Sequence, residues 1–246
     1  MSRFVYGVNP VLEALRAHPD DVVRVLLERS REGRRSHGAE RVAQSAAEAG
    51  VRVDDVPHGD LAHRSRGGVH QGVGAELAEF RYGELEDVLD RAAGPPFLLL
   101  LDGVTDPQNL GALVRSAHAL GADGVIIPRD RAAGVTPAAF KAAAGALEHC
   151  PVARVTNLSR ALEELKERGI WTVALAAEGE KDLGEIDLRL PTALVLGSEG
   201  GGVRPLVRKT CDHVARIAMA GKIGSLNVSA AGAIALYEVA RQRARR

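Results

Sequence analysis

Two hydrophobic rhythms divide the chain. In the C-terminal part, FLLLLD (97–102), GVIIP (124–128), PVARV (151–155), IWTVALA (170–176), TALVLG (192–197) and HVARIAM (213–219) are short apolar runs of strand length. Runs of this kind suit strands buried on both faces. Between them, apolar residues recur at helical spacing at about 110–120 (ended by Gly121), at 137–149, at 158–169, near 205–210 and from about Val228 to Arg243. Strands alternating with helices predict an α/β fold, a mainly parallel sheet with helices on both faces.

The N-terminal part has a shorter rhythm. Asn9-Pro10 opens an amphipathic helix carrying Val11, Leu12 and Leu15, VVRVLLE (22–28) reads as a strand, and ERVAQSAAEAG (40–50) as a helix stopped by Gly50. VRVDDV (51–56) and VHQGVGAEL (69–77) read as two further strands. A polar stretch ending in Gly-Pro-Pro follows, so the predicted organisation is a small αβ domain over 1–77, a linker with a short helix over 78–96, and a second domain over 97–246.

Composition removes several classes of function. Of 246 residues, 46% are hydrophobic and 26% charged, an ordinary globular composition that argues against disorder. Lys plus Arg and Asp plus Glu both total 32, so any nucleic-acid site is a local patch and not a whole-chain field. Aromatics at 3% argue against a surface that stacks several bases. Cys150 and Cys211 are far apart with no metal-ligand spacing, which predicts no metal and a reducing, cytoplasmic setting. No signal peptide or membrane-spanning run is read.

Local basic patches do occur. Arg29, Arg31, Arg34 and Arg35 share one loop, and Arg64 and Arg66 stand beside Gly67-Gly68 and His70. Each group reads either as an RNA-phosphate contact or as an ordinary solvated loop, and His70 as a structural histidine before an RNA contact.

Three C-terminal segments behave unlike scaffold. LDGVTDPQNLGALVRSAHALGADGVII (101–127) crosses a polar loop into a helix through Asn109, with Arg115 further along. Singly, Asn109 reads as a cap and Arg115 as a surface cation. LVLGSEGGGVRPLV (194–207) runs an apolar strand into Gly197, Ser198, Glu199 and three glycines, without a G-x-G-x-x-G or Walker pattern. IAMAGKIGSLNVSAAGAIALYEVARQR (217–243) places Ile217, Met219, Ser225 and Leu226 around a loop, with Asn227 and Ser229 opening the last helix. Read alone, the apolar residues are core and the polar ones caps.

In this order, DGVTDPQNLGALVRSA, LVLGSEGGGVR and SLNVSAAGAIALYE resemble the three motifs of the SpoU, or TrmH-type, branch of the SPOUT RNA 2′-O-ribose methyltransferases. The likeness runs through 97–243, while FVYGVNPVLEAL and VHQGVGAEL resemble that family's substrate-binding domain, whose fold is shared with a ribosomal protein. The resemblance implies a C-terminal trefoil knot, which sequence reasoning alone would not propose. It also implies a homodimer with active sites completed across the interface, and S-adenosylmethionine at Gly197, Ile217 and Leu226, with Met219 and Ser225 as neighbours. ALA at 174–176 departs from a Gly-Thr-Ala type sequence in relatives, a change that a backbone contact to adenine survives.

The two-domain layout most resembles members acting on a guanosine of 23S rRNA, in the peptidyl-tRNA-binding loop, either as free rRNA or in a large-subunit assembly intermediate. Arg115 is the family-matched residue for activating the 2′-hydroxyl. A guanidinium is a poor base, so it either holds an RNA phosphate while that phosphate or a water takes the proton, or stabilises the developing alkoxide. Asn109, Asn227 and Ser229 would fix the ribose and the arginine, and Glu199 would orient Arg115 or meet the cofactor's amine. The competing readings are a tRNA enzyme, a resistance-type enzyme for another rRNA nucleotide, and a non-catalytic ribosome-assembly binder. The missing early glycine signature disfavours an open-sheet small-molecule or DNA methyltransferase.

Overall fold

The computed structural model describes residues 3–29, 33–65, 67–221 and 224–244. Two compact units emerge, one from residues 1–81 with 135–149, the other from 82–134 with 150–246. In chain order the first contains β1 (Arg3–Tyr6), α1 (Val8–Ala17), β2 (Val22–Glu28), α2 (His37–Glu48), β3 (Val53–Val56), α3 (Asp60–Arg64) and β4 (Val73–Leu77). The second begins with α4 (Leu85–Leu89), β5 (Phe97–Asp102), α5 (Pro107–Ala119) and β6 (Gly124–Pro128). Next comes α6 (Pro137–Ala143), which packs in the first unit although the sequence places it in the run beyond 97. The chain then returns to the second unit with β7 (Val152–Val155), α7 (Leu158–Glu167), β8 (Trp171–Leu175), β9 (Lys181–Asp182), β10 (Thr192–Gly197), α8 (Pro205–Thr210), β11 (His213–Arg216) and α9 (Val228–Ala244).

In the first unit the sheet order is β1-β4-β2-β3, with β4 antiparallel to β1 and β2 and β3 parallel to β2. Val25 and Leu27 of β2 and Val73, Ala75 and Leu77 of β4 are fully buried. The register pairs Tyr6 with Gly74, Leu27 with Val73 and Glu28 with Val56, so the loops after β1, β2 and β3 and the turn before β4 share one end of the sheet. That end carries the arginine loop and His70.

In the second unit the order is β7-β6-β5-β10-β8-β11-β9, and every described pairing is parallel, as the apolar runs predict. All of β5, β6 and β10 is buried. Each leucine of β5 thereby contributes roughly 1.5–3 kcal/mol of hydrophobic stabilisation. From β5 the chain moves outward through β6 to β7, then crosses to the other side of the sheet for β8. The strand order therefore reverses between β5 and β10, and the crevice above their carboxyl ends is where open α/β sheets hold ligands. Asp102 and Gly197 stand in register at those two ends.

Several predicted elements are shorter. The run 69–77 yields only β4, because Gln71 (φ 56°) and Gly72 (φ 74°) turn the backbone left-handed and Val8 N–H donates to Gln71 Oε1 at 3.2 Å. The helix predicted over 137–149 breaks after Ala143, where Ala144 (φ 49°) and Gly145 (φ 96°) reverse the chain into one 3-10 turn. The strand predicted over 213–219 ends at Arg216, where its pairing partners on β8 and β9 run out. Ile217 and Met219 are thereby freed into a loop. No described helix is long and apolar enough to cross a membrane.

Candidate active site

Asp102 closes an otherwise apolar strand and is fully buried, so its charge needs a partner. Arg204 supplies it. Its backbone N–H donates to Oδ2 at 2.8 Å, and its guanidinium meets Oδ1 through Nε at 2.7 Å and Nη2 at 2.6 Å. This fastens the far end of loop 198–204 to the end of β5. The near end is closed by Ser198 N–H donating to Gly202 O at 3.1 Å and Gly202 N–H returning to Ser198 O at 2.9 Å. The loop folds back so tightly that a Cβ on Gly197 would lie 1.9 Å from the carbonyl carbon of Gly202. Loop closure alone therefore requires glycine at 197, and this residue presents only backbone to a ligand.

The doubly fastened loop presents Glu199. Its Oε1 accepts from Asn109 Nδ2 at 2.8 Å and from Asn227 Nδ2 at 2.6 Å, and Asn227 Nδ2 also donates to Asn109 Oδ1 at 3.2 Å. Three side chains from three distant segments thus form a closed hydrogen-bonded triangle above β5 and β10. The cap reading fails for Asn109. Helix α5 begins at Pro107 and is capped by Asp106, whose Oδ1 accepts from Gln108 N–H at 2.8 Å, so Asn109 lies inside the first turn, 7% exposed, and its Nδ2 donates to Glu199 at 2.8 Å and more weakly to Asp106 Oδ2 at 3.5 Å.

Asn227 does both jobs. Its Oδ1 caps α9, accepting from Ser229 N–H at 2.9 Å, Ser229 Oγ at 2.5 Å and Ala230 N–H at 3.3 Å, while its Nδ2 completes the triangle. Ser229 is therefore tied to the site through Asn227. The first turn of α9 is held there because Gly232 lets it approach α5 closely; a Cβ at 232 would meet Leu113 Cδ2 at 2.2 Å.

Arg115 does not join this cluster. Six residues beyond Asn109 along an α-helix is about 9 Å and ~240° around the axis. It is exposed, with no hydrogen bond or ion pair among the described residues. Between the end of β11 and the start of α9, Ile217 is half-buried, Ser225 is exposed, and Met219 and Leu226 are 40% and 43% exposed. Two exposed apolar side chains, the backbone at Gly197 and a serine hydroxyl suit a purine nucleoside, so the residues present fit an adenosyl group. Ala174 is buried in β8, and Ala176 N–H is bonded to Ala215 O at 2.9 Å.

The arginines of the first unit are mostly engaged. Asp55 receives Arg29 Nη2 at 2.6 Å and Arg35 through Nε at 2.9 Å and Nη2 at 2.8 Å. The hydrogen bond from Arg29, then that from Arg35, holds its carboxyl below the usual range despite some desolvation. Arg64 bridges Asp60 and Glu76, both at 2.8 Å, and Arg34 is exposed in its loop. Arg31 and Arg66 lie outside the described residues. His70 Nδ1 accepts from Gly72 N–H at 3.1 Å and lies 3.4 Å from the buried Glu28, the structural role expected of it. Sequence reasoning passed over Asp102 and Arg204 as site residues; the signal was a carboxylate ending a wholly apolar strand. Among the described residues no cluster of His, Cys, Asp and Glu could hold a metal.

Two family models cover most of the chain: the SpoU rRNA methylase family over residues 96–237, and an RNA 2′-O-ribose methyltransferase substrate-binding domain over 4–83. The 23S rRNA (guanosine-2′-O-)-methyltransferase RlmB of Pseudomonas syringae pv. tomato is 45% identical over 242 residues, 97% of this chain and 95% of that protein. An uncharacterised tRNA/rRNA methyltransferase of Mycolicibacterium smegmatis is 43% identical over 98% of this chain and 77% of its own. Among solved structures, the SpoU methyltransferase AviRb of Streptomyces viridochromogenes, crystallised with AdoMet, superposes with a TM-score of 0.83 at 27% identity, covering 100% of this chain and 92% of that one.

Proposed function

The chain belongs to the SpoU rRNA methylase family, and we propose that it methylates the ribose 2′-hydroxyl of a guanosine in 23S rRNA, within the peptidyl-tRNA-binding loop. It is an RNA 2′-O-methyltransferase that uses S-adenosylmethionine. The observation that carries the site assignment is the Asn109–Glu199–Asn227 triangle above the carboxyl ends of β5 and β10. The substrate assignment rests on the guanosine-specific 23S rRNA relative, which matches both units.

S-adenosylmethionine supplies a methyl group already activated on a sulfonium. Gly197, Ile217, Met219, Ser225 and Leu226 would hold it, through apolar contact and backbone polar groups. The remaining task is to align the hydroxyl and ease its deprotonation. Asn109, Asn227 and Ser229 are locked by one another and by Glu199, so they offer the ribose a fixed set of donors and acceptors with little reorganisation. Arg115 acts on the phosphate next to the target or on the developing alkoxide.

Arg115 and the triangle lie apart in one chain, which favours a homodimer in which one protomer's Arg115 serves its partner's triangle. Ile234 and Tyr237, 44% and 59% exposed on one face of α9, give a second copy an apolar surface to cover. The knotted path of the C-terminal segment belongs to the same reading; what supports it is the family match over residues 96–237. The arginines that the sequence singles out, Arg29, Arg34, Arg35 and Arg64 with Arg31 and Arg66 from outside the described residues, recruit the RNA, and the substrate places the enzyme in the cytoplasm.

The test is transfer of labelled methyl from S-adenosylmethionine to unmodified 23S rRNA and to tRNA in parallel, with the modified nucleotide mapped. A 2′-O-methylguanosine in the peptidyl-tRNA-binding loop is the expected product. Label only in tRNA overturns the substrate assignment and keeps the chemistry. Binding of the cofactor and both RNAs without transfer overturns the enzymatic reading in favour of an assembly binder.

A further inference from the structure

A second cavity, of about 310 Å³, opens beyond the ends of β6 and β7. It is at the small end of the ~300–1,000 Å³ typical of ligand sites. Its lining includes Asp130, Arg131, Thr156, Asn157, Ser159 and Arg204. We propose that it is a phosphodiester subsite for the RNA strand flanking the target nucleotide, contacted by Arg131 and Arg204. The proposal rests on the RNA methyltransferase reading above.

Three observations carry it. Arg204 is immobilised by the buried Asp102, yet both of its side-chain contacts go to one carboxylate oxygen through Nε and Nη2. Its side chain stays 47% exposed, which leaves Nη1 and its protons for a ligand. Arg131 is exposed, with no partner among the described residues, and sits at a left-handed φ of 57°, a backbone state that directs this side chain at a position where most residues are disfavoured. Thr156 and Ser159 add hydroxyl donors. Two guanidinium groups and two hydroxyls lining one cavity are the donor set that phosphate oxygens select.

The position fits a flanking nucleotide. Strand β6 is the neighbour of β5, and β7 is the next one out. At ~4.8 Å per strand, the cavity lies about 5–10 Å from the end of β5 and the triangle above it. That is about one to three nucleotides along a single strand, whose phosphates advance ~3.4 Å or more each. Asp130 also lines the cavity, so it exerts no long-range pull and depends on short-range contact with the two guanidinium groups.

The experiment measures rRNA-fragment affinity against salt concentration, S-adenosylmethionine affinity and methyl transfer for four proteins: wild type, Arg131→Asn, Arg131→Lys and Arg160→Gln. Asparagine tolerates the left-handed backbone, so Arg131→Asn removes the charge and keeps the fold. Arg160 is an exposed helix arginine outside the cavity and controls for bulk charge. We expect Arg131→Asn to weaken RNA binding about tenfold and to lower the log–log salt slope by ~0.7, one single-strand phosphate contact, with cofactor affinity unchanged. Arg131→Lys should restore the slope. Unchanged RNA affinity and slope in an active wild-type background overturns the proposal, as does an equal loss in Arg160→Gln. Loss of cofactor affinity in Arg131→Asn overturns it in favour of a site for the cofactor's carboxylate. Absence of methyl transfer by the wild type is seen separately and overturns the reading on which the proposal rests.

Discussion

Gly197→Ala puts the architecture of the site at risk through a single methyl group. The built Cβ lies 1.9 Å from Gly202 C, 2.0 Å from Val203 N and 2.1 Å from Gly202 O, and all three are backbone atoms. Ordinary contact between such atoms is ~3.5 Å or more, so the return strand of the loop must move by about 1.5 Å. That displacement breaks the paired bonds between Ser198 and Gly202, which measure 3.1 and 2.9 Å. Overpacking costs ~1–3 kcal/mol and each lost backbone bond ~0.5–1.5 kcal/mol, which sums to about 4 kcal/mol. At ~2–4 °C per kcal/mol for a chain of this size, the melting temperature should fall by roughly 8–16 °C. Cofactor affinity should fall with it, because Glu199 rides on the displaced loop. Scanning calorimetry and titration with S-adenosylmethionine read the two effects. Gly201→Ala is the control: its Cβ meets only the Ser198 hydroxyl, at 2.8 Å, and that group can rotate away. A Gly197→Ala protein that melts within about 2 °C of wild type, or a Gly201→Ala protein that loses as much, would refute the argument from loop closure.

Three further outcomes follow from the same geometry. Asn227→Asp keeps the acceptor that caps α9 but sets a second carboxylate against Glu199 Oε1, where an amide now donates at 2.6 Å; kcat should fall ~100-fold or more with little change in melting temperature, and parallel losses in both would point to folding instead. Burial pushes the thiols of Cys150 and Cys211 up to about 12, so both should react slowly with a disulfide reagent at pH 8 until the chain unfolds. The unfolded thiol ionises from about pH 9, its ordinary value, so this stabilisation is present below pH 9 and is lost as pH rises toward 12; denaturant titrations across that range check it. In the first unit, hydrogen bonds from Arg24 foremost hold the Glu76 carboxyl below its usual value of 4.5. Its contribution is present above that pH and lost as pH falls below it, and Glu76→Gln should flatten the acid limb of stability; an unchanged limb contradicts the assignment.

How far the residues announced this arrangement differs from one segment to the next. The sheet of the second unit was legible because β5, β6 and β10 are apolar at every position but Asp102, the last of β5, and Thr192, the first of β10. Its strand order was not, since periodicity carries no information about neighbours. Asn109 looked like a cap because it precedes an apolar helix face, and only the observed start at Pro107, with Asp106 as the cap, shows that its amide serves Glu199 instead. Asn227 looked like a cap and is one, yet the same side chain also reaches Glu199, 28 residues away in sequence. The role of Asp102 rests on Arg204, a partner 102 residues distant that no local pattern links to it. The left-handed backbone at Gln71 and Ala144 shortened a predicted strand and a predicted helix, because neither residue type advertises such a conformation.

The account stands or falls on whether Arg115 acts in chemistry and not in holding the cofactor. The most direct measurement pairs calorimetric binding of S-adenosylmethionine with mass-spectrometric mapping of 2′-O-methylguanosine in 23S rRNA, for the wild type and Arg115→Ala. The account predicts one modified guanosine with the wild type, none with Arg115→Ala, and cofactor affinities within about threefold of each other, since 1.4 kcal/mol is tenfold. Full methylation by Arg115→Ala, or its loss together with cofactor binding, would contradict the role assigned to this residue.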